Sequence, residues 1–67
     1  MRKFSERLKE LRNENGLSQV EVGKKLGVTQ STIAKWESNE REPAQEMLVE
    51  IAKFFNISTD YLLGLSD

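Results

Sequence analysis

Sixty-seven residues with no cysteine, no histidine and a formal net charge of -1 make one small domain, residues 1–67, that must hold its core by packing alone. The two missing residue types exclude nucleophile–imidazole pairs and thiolate or imidazole metal sites, the carboxylates are spread over helix surfaces next to Lys or Arg, and there is no phosphate-cradling glycine loop; no enzyme, metal or cofactor is expected, nor a small-molecule ligand. No run of about 18 apolar residues is present to span a membrane, and MRKFSERLKELR breaks its apolar positions with charges, unlike a secretory signal; a soluble cytoplasmic protein is the expectation.

In chain order, Phe4, Leu8 and Leu11 recur at spacings of four and three. That predicts an amphipathic first helix over about 3–14, with Arg2, Lys3, Arg7, Lys9 and Arg12 around its polar side. Asn15-Gly16 ends it. Ser18 and Glu21 form an S-x-x-E capping pattern, in which the serine oxygen accepts from the Glu21 amide while the carboxylate reaches back to the Ser18 amide. The second helix therefore starts at Gln19, with Leu17 placed to pack over its first turn. Val22 and Leu26 share one face, and Gly27 is the left-handed residue that stops this helix. Gly23 costs about 1 kcal/mol of helix propensity relative to alanine, which is tolerable where another helix approaches the backbone, and the third helix is the expected neighbour.

Thr29 caps that third helix, about Gln30 to Glu37. Ile33 and Trp36 turn inward there, Val28 completes the cluster, and Gln30, Ser31, Thr32 and Lys35 point elsewhere. Ser38-Asn39 breaks the helix, Asn39 being a residue that tolerates positive φ, and Pro43 marks a fourth helix from about Ala44. Met47, Leu48, Ile51, Ala52 and Phe55 keep helical spacing and supply a second wall of core. Asn56 closes that helix, Ser58 caps a short fifth one with Asp60 near its positive end, and Gly64 follows Leu62-Leu63 as a stop signal. There is no repeat, linker or low-complexity segment. Residues 18–37 have the order helix, glycine turn, helix, which is that of a helix-turn-helix, with Val22, Gly23, Leu26, Gly27, Val28 and Ile33 as its inward set.

A net negative charge argues by itself against a nucleic-acid binder, because neutralising phosphates supplies most of such affinity. Its distribution argues the other way. Residues 1–41 carry nine Lys or Arg against six Glu, whereas residues 42–67 carry Lys53 against Glu42, Glu46, Glu50, Asp60 and Asp67. The basic residues gather in the part of the chain that holds the two-helix unit.

RLKELR at 7–12, GLSQ at 16–19, KLGVTQSTI at 25–33, the Trp36-Glu37 pair, Arg41 with Pro43, and NISTDYLLG at 56–64 together resemble the Cro/C1-type (XRE-like) helix-turn-helix family of phage repressors and bacterial regulators. The resemblance covers nearly the whole chain. Apolar residues at positions four, eight, ten, fifteen and eighteen counted from Gln19, with Gly23 and Gly27 at five and nine, fit the family's packing rule. Gly23 stands where alanine is usual, Val22 where leucine is usual and Asn39 where glycine is usual.

The resemblance implies an all-α, five-helix, lambda-repressor-like domain that binds double-stranded DNA, with the third helix in the major groove and the second meeting the phosphate backbone. A helix fits that groove, and a glutamine on its first turn can pair with adenine. Gln30 is thus the first base-contact candidate, joined by Ser31, Thr32 and Lys35. Gln19 resembles the family's backbone-contacting glutamine, and Arg12, Lys24 and Arg41 are further phosphate candidates. Arg12 and Glu37 match a partly buried salt bridge of the family. A homodimer on a near-palindromic site, weak or monomeric in solution, is implied as well, with Val49, Phe54, Tyr61 and Leu65 as apolar groups that could meet a second copy. The alternative from another class is a helical protein-interaction module, such as an antitoxin-like partner binder. The discriminating feature is the side on which Gln30, Ser31 and Lys35 fall: a convex basic face shared with Gln19 and Lys24 favours DNA binding, and a covered or acidic one favours the interaction module.

Overall fold

Local signals at the helix ends decide where each element begins. The computed structural model describes residues 1–66, and among them the chain forms α1 (Arg2–Glu14), α2 (Gln19–Leu26), α3 (Gln30–Glu37), α4 (Gln45–Phe55) and α5 (Thr59–Leu63), with no strand. This is the all-α, five-helix arrangement expected. Both halves of the capping box form: Ser18 Oγ accepts from the Glu21 amide at 3.0 Å, and the Ser18 amide donates to Glu21 Oε1 at 2.8 Å. Thr29 and Ser58 do the same for α3 and α5, accepting from the amides of Thr32 at 3.1 Å and Tyr61 at 3.0 Å. Each cap satisfies an amide that has no partner within its helix.

The fourth helix starts differently. Ala44 stands at its N-cap with extended backbone and no side-chain cap, so the helix begins at Gln45, one residue later than the sequence suggests. Pro43, just before the cap, is buried, and its fixed φ sets the angle at which the chain enters. Asn39 and Asn56 adopt the positive φ values of 64° and 55° that turn the chain out of α3 and close α4.

The turn between α2 and α3 is tight for two separate reasons. Gly27 has φ 75°, a conformation that strains any residue bearing a Cβ. Contrary to expectation it is exposed rather than inward, so its role is conformational. Gly23 is the buried one, and a Cβ there would lie 2.7 Å from the Val28 carbonyl oxygen and 3.4 Å from the Thr29 carbonyl carbon. The element that comes close is therefore the turn itself, not the flank of α3. The Val28 amide closes the turn by donating to the Gly23 carbonyl at 2.8 Å.

Phe4, Leu8 and Leu11 of α1, Val22 of α2, Ile33 and Trp36 of α3, Ile51 and Ala52 of α4, and Leu62 of α5 form one core. Every helix contributes to it, so none can leave without opening a cavity. Phe4 meets Trp36 edge to face at 6.4 Å. Leu17, Leu26, Val28, Met47, Leu48 and Phe55 are half-buried and pack around this centre. Ser5, a polar residue beside Phe4, is buried as well, and its hydroxyl donates to the Trp36 carbonyl at 2.6 Å. That bond ties α1 to the end of α3, at a carbonyl that also accepts from the Asn39 amide at 3.3 Å. Among the described residues no helix is long and apolar enough to cross a membrane.

Candidate nucleic-acid interface

Packing α3 against α2 across the short turn brings their amino-terminal ends together. Gln19 and Gln30, each the first residue of its helix, meet there. Gln30 Nε2 donates to Gln19 Oε1 at 2.6 Å, and Gln19 Nε2 donates to Glu37 Oε1 at 3.2 Å. Glu37 in turn is held by Arg12: Nε reaches Oε2 at 2.6 Å and Nη2 reaches Oε1 at 3.0 Å, a two-pronged pairing of guanidinium and carboxylate. Arg12 Nη1 also donates to the Leu17 carbonyl at 2.9 Å. A continuous hydrogen-bonded line thus runs from α1 through the end of α3 to the start of α2 and on to Gln30.

The expected salt bridge is therefore present, and its burial sets its weight. The side chains of Arg12 and Glu37 are 13% and 4% exposed. A pair so far from water is costly to break from one side only, because the partner left behind keeps a charge it cannot solvate. The Arg12 pKa is raised, first by its hydrogen bond with Glu37 and then by the attraction of that carboxylate, against the lowering effect of burial. Three of its five N–H groups are engaged internally. Arg12 belongs first to the fold.

On α3 the four candidates separate. Gln30, Ser31 and Lys35 are exposed, and Lys35 lies one turn beyond Ser31 on the same side of the helix. Thr32 is half-buried and turned to the cap, its hydroxyl 2.9 Å from that of Thr29. Lys24, Lys25 and Arg41 are exposed, but no bond joins them to the Gln19–Gln30 pair; Lys24 attracts the Glu21 carboxylate. Glu21 itself is held below the usual glutamate range, chiefly by the Ser18 amide and then by the Ser18 hydroxyl.

Among the cations that the sequence places around α1, Arg12 makes its expected bridge to Glu37, whereas Arg7 is drawn across the fold instead of lying on the polar side. Arg7 lies over the Tyr61 ring at 4.2 Å and donates through Nη1 to the carbonyls of Tyr61 at 2.5 Å and Ser66 at 2.8 Å. Tyr61 is thereby half-covered, which removes it from the apolar groups available to a second copy. Val49, Phe54 and Leu65 are exposed. Sequence reasoning missed the Gln19–Glu37 bond and the inward hydroxyl of Ser5. The signal for Ser5 was its spacing of three from Leu8 and seven from Arg12, which places it on the α3-facing side of α1.

Comparison with known proteins gives a helix-turn-helix family model matching residues 8–62. The transcriptional regulator ImmR of Bacillus subtilis is 37% identical over 61 residues, 91% of this chain and 48% of its own. The transcriptional activator BcrR of Enterococcus faecalis is 39% identical over 61 residues, 91% of this chain and 30% of its own. This chain thus spans half or less of the length of either relative. Among solved structures, the P22 c2 repressor in complex with a synthetic operator superposes with a TM-score of 0.83 at 36% identity, covering 88% of this chain and 89% of that one. All three are named as regulators of transcription or as a repressor, not as enzymes.

Proposed function

The chain belongs to the Cro/C1-type helix-turn-helix family, and from that premise we propose that it binds double-stranded DNA sequence-specifically and regulates transcription, chiefly by repression through occupancy of an operator. The observation that carries the proposal is the uncovered first turn of α3, where Gln30 sits beside Gln19 in a domain that superposes on an operator-bound repressor. Lying in the major groove, α3 presents Gln30 to an adenine edge and Ser31 and Lys35 to neighbouring bases or phosphates. Thr32, occupied at the cap, makes the lesser base contact through its methyl group.

Gln19 faces a phosphate with the amide at the start of α2, where the helix dipole favours an anion. Lys24 and Arg41 add phosphate contacts that carry no sequence information. Arg12 is the weakest backbone contact of the set, because most of its donors are engaged. One copy measures 28 × 23 × 20 Å, less than the roughly 34 Å between half-sites one helical turn apart. Two copies on a near-palindromic site, related by a two-fold axis, answer that mismatch, and the exposed Val49, Phe54 and Leu65 are the apolar groups available for their contact. The place of action is the cytoplasm of a bacterium or of a phage-carrying cell.

Selection from a random duplex library, followed by a salt titration on the enriched sequence, tests this. Enrichment of an inverted repeat is expected, with affinity falling steeply as salt rises. Neutralising Lys24 or Arg41 should weaken all sequences alike and flatten the salt slope by about 1 for each phosphate that goes without its cation. No enriched sequence, or base preference untouched by Gln30→Ala, contradicts the proposal.

A further inference from the structure

Glu37 lies at the far end of α3 from the exposed glutamine, with its side chain 4% exposed. It still touches the line of bonds that ends at Gln30. We propose that Glu37 is a positioning residue for base specificity: acting through Gln19, it fixes which way round the Gln30 amide is presented and so favours adenine over guanine at the base that Gln30 reads. The proposal rests on the duplex-binding reading above.

The direction of each bond follows from donor and acceptor chemistry. An ionised carboxylate only accepts. Glu37 Oε1 takes Arg12 Nη2 at 3.0 Å and Gln19 Nε2 at 3.2 Å, so Gln19 must turn its amide nitrogen inward. Its oxygen is then left on the outer side, where it can only accept, and it accepts from Gln30 Nε2 at 2.6 Å. Gln30 has one N–H engaged in this way. It keeps one N–H and its carbonyl oxygen for a partner outside the protein.

A donor beside an acceptor is the complement of adenine, whose major-groove edge offers the N7 acceptor and the N6 donor. Guanine offers two acceptors, N7 and O6. If Gln19 were free to turn over, its nitrogen would face Gln30. Gln30 would then give its oxygen to Gln19 and present two N–H groups, the complement of guanine. No bond from a neighbour on α3 holds the Gln30 amide; the constraint arrives from Arg12 and Glu37, 25 residues apart in sequence. Glu37 touches no DNA in this scheme. Arg12 keeps the carboxylate in place.

The test compares affinities for the enriched duplex carrying either adenine or guanine at the position identified by Gln30→Ala, and reads their ratio. Any loss of folded protein lowers both affinities equally, so the ratio is blind to stability. Wild type should prefer adenine by about tenfold or more. Glu37→Gln, whose amide can donate as well as accept, should bring the ratio to about threefold or less. Should that variant fail to fold, Arg12→Met with Glu37→Met replaces the ion pair by apolar side chains of similar volume; it leaves Gln19 without an inward acceptor and should lower the ratio equally. A wild-type ratio in either variant, or a wild-type preference for guanine, overturns the proposal while duplex binding stands. Failure of wild type to enrich any sequence overturns both.

Discussion

Glu37 ties α1, α2 and α3 together through one carboxylate, which accepts from Arg12 and from Gln19. Its replacement by alanine leaves a guanidinium that is 13% exposed without its carboxylate, at an expected cost of about 3 kcal/mol. A chain of this length has a total stability of only about 3 to 10 kcal/mol. Urea unfolding should therefore show a large drop for Glu37→Ala and a much smaller one when Arg12→Met and Glu37→Met are combined; a single-variant cost below about 1 kcal/mol would place the pair with ordinary surface bridges. The capping box gives a second prediction at this scale. The Glu21 carboxyl is held below its ordinary value of 4.5, so its contribution to stability is present above that value and is lost as pH falls through the lowered one. The thermal midpoint of wild type should exceed that of Glu21→Gln near neutrality, and the two should converge in acid. A difference that widens below pH 4.5 contradicts the assignment.

Among the elements, the turn from α2 to α3 has the least room. Alanine at position 23 gains about 1 kcal/mol of helix propensity, yet its Cβ would sit 2.7 Å from a backbone oxygen that cannot swing aside. Overpacking of this kind costs about 1 to 3 kcal/mol, so Gly23→Ala should lower the thermal midpoint, and an unchanged or raised one would show that the turn yields. The Val28 carbonyl is drawn in closer than a methyl group at position 23 allows. The helices themselves were legible because their caps are local. Ser18, Thr29 and Ser58 each act on an amide three residues away, and Phe4, Leu8 and Leu11 advertise their face by spacing alone. The start of α4 was less legible, since Ala44 offers no cap and only Pro43 marks the entry.

At the scale of the whole molecule, the candidate interface was legible in part. Gln30, Ser31 and Lys35 could be read as outward because the inward residues of α3 are so clearly Ile33 and Trp36. The Arg12–Glu37 bridge was reached through family resemblance, but its extension to Gln19 was not, because a bond across 18 residues depends on how two helices dock and leaves no periodic trace. The same holds for Arg7, whose stem could equally have lain in water before α5 brought Tyr61 beneath it. What the fold adds is an α2–α3 face on which Gln30, Ser31 and Lys35 are exposed, backed by a buried charge pair; Val49 and Phe54 of α4 are exposed as well. Chemical-shift mapping of isotope-labelled protein titrated with the enriched duplex tests the use of that face most directly. The largest changes are expected at the side-chain amides of Gln19 and Gln30 and the backbone of Ser31 and Lys35; largest changes at Val49, Phe54 and Leu65, with the α2–α3 signals unmoved, would contradict it.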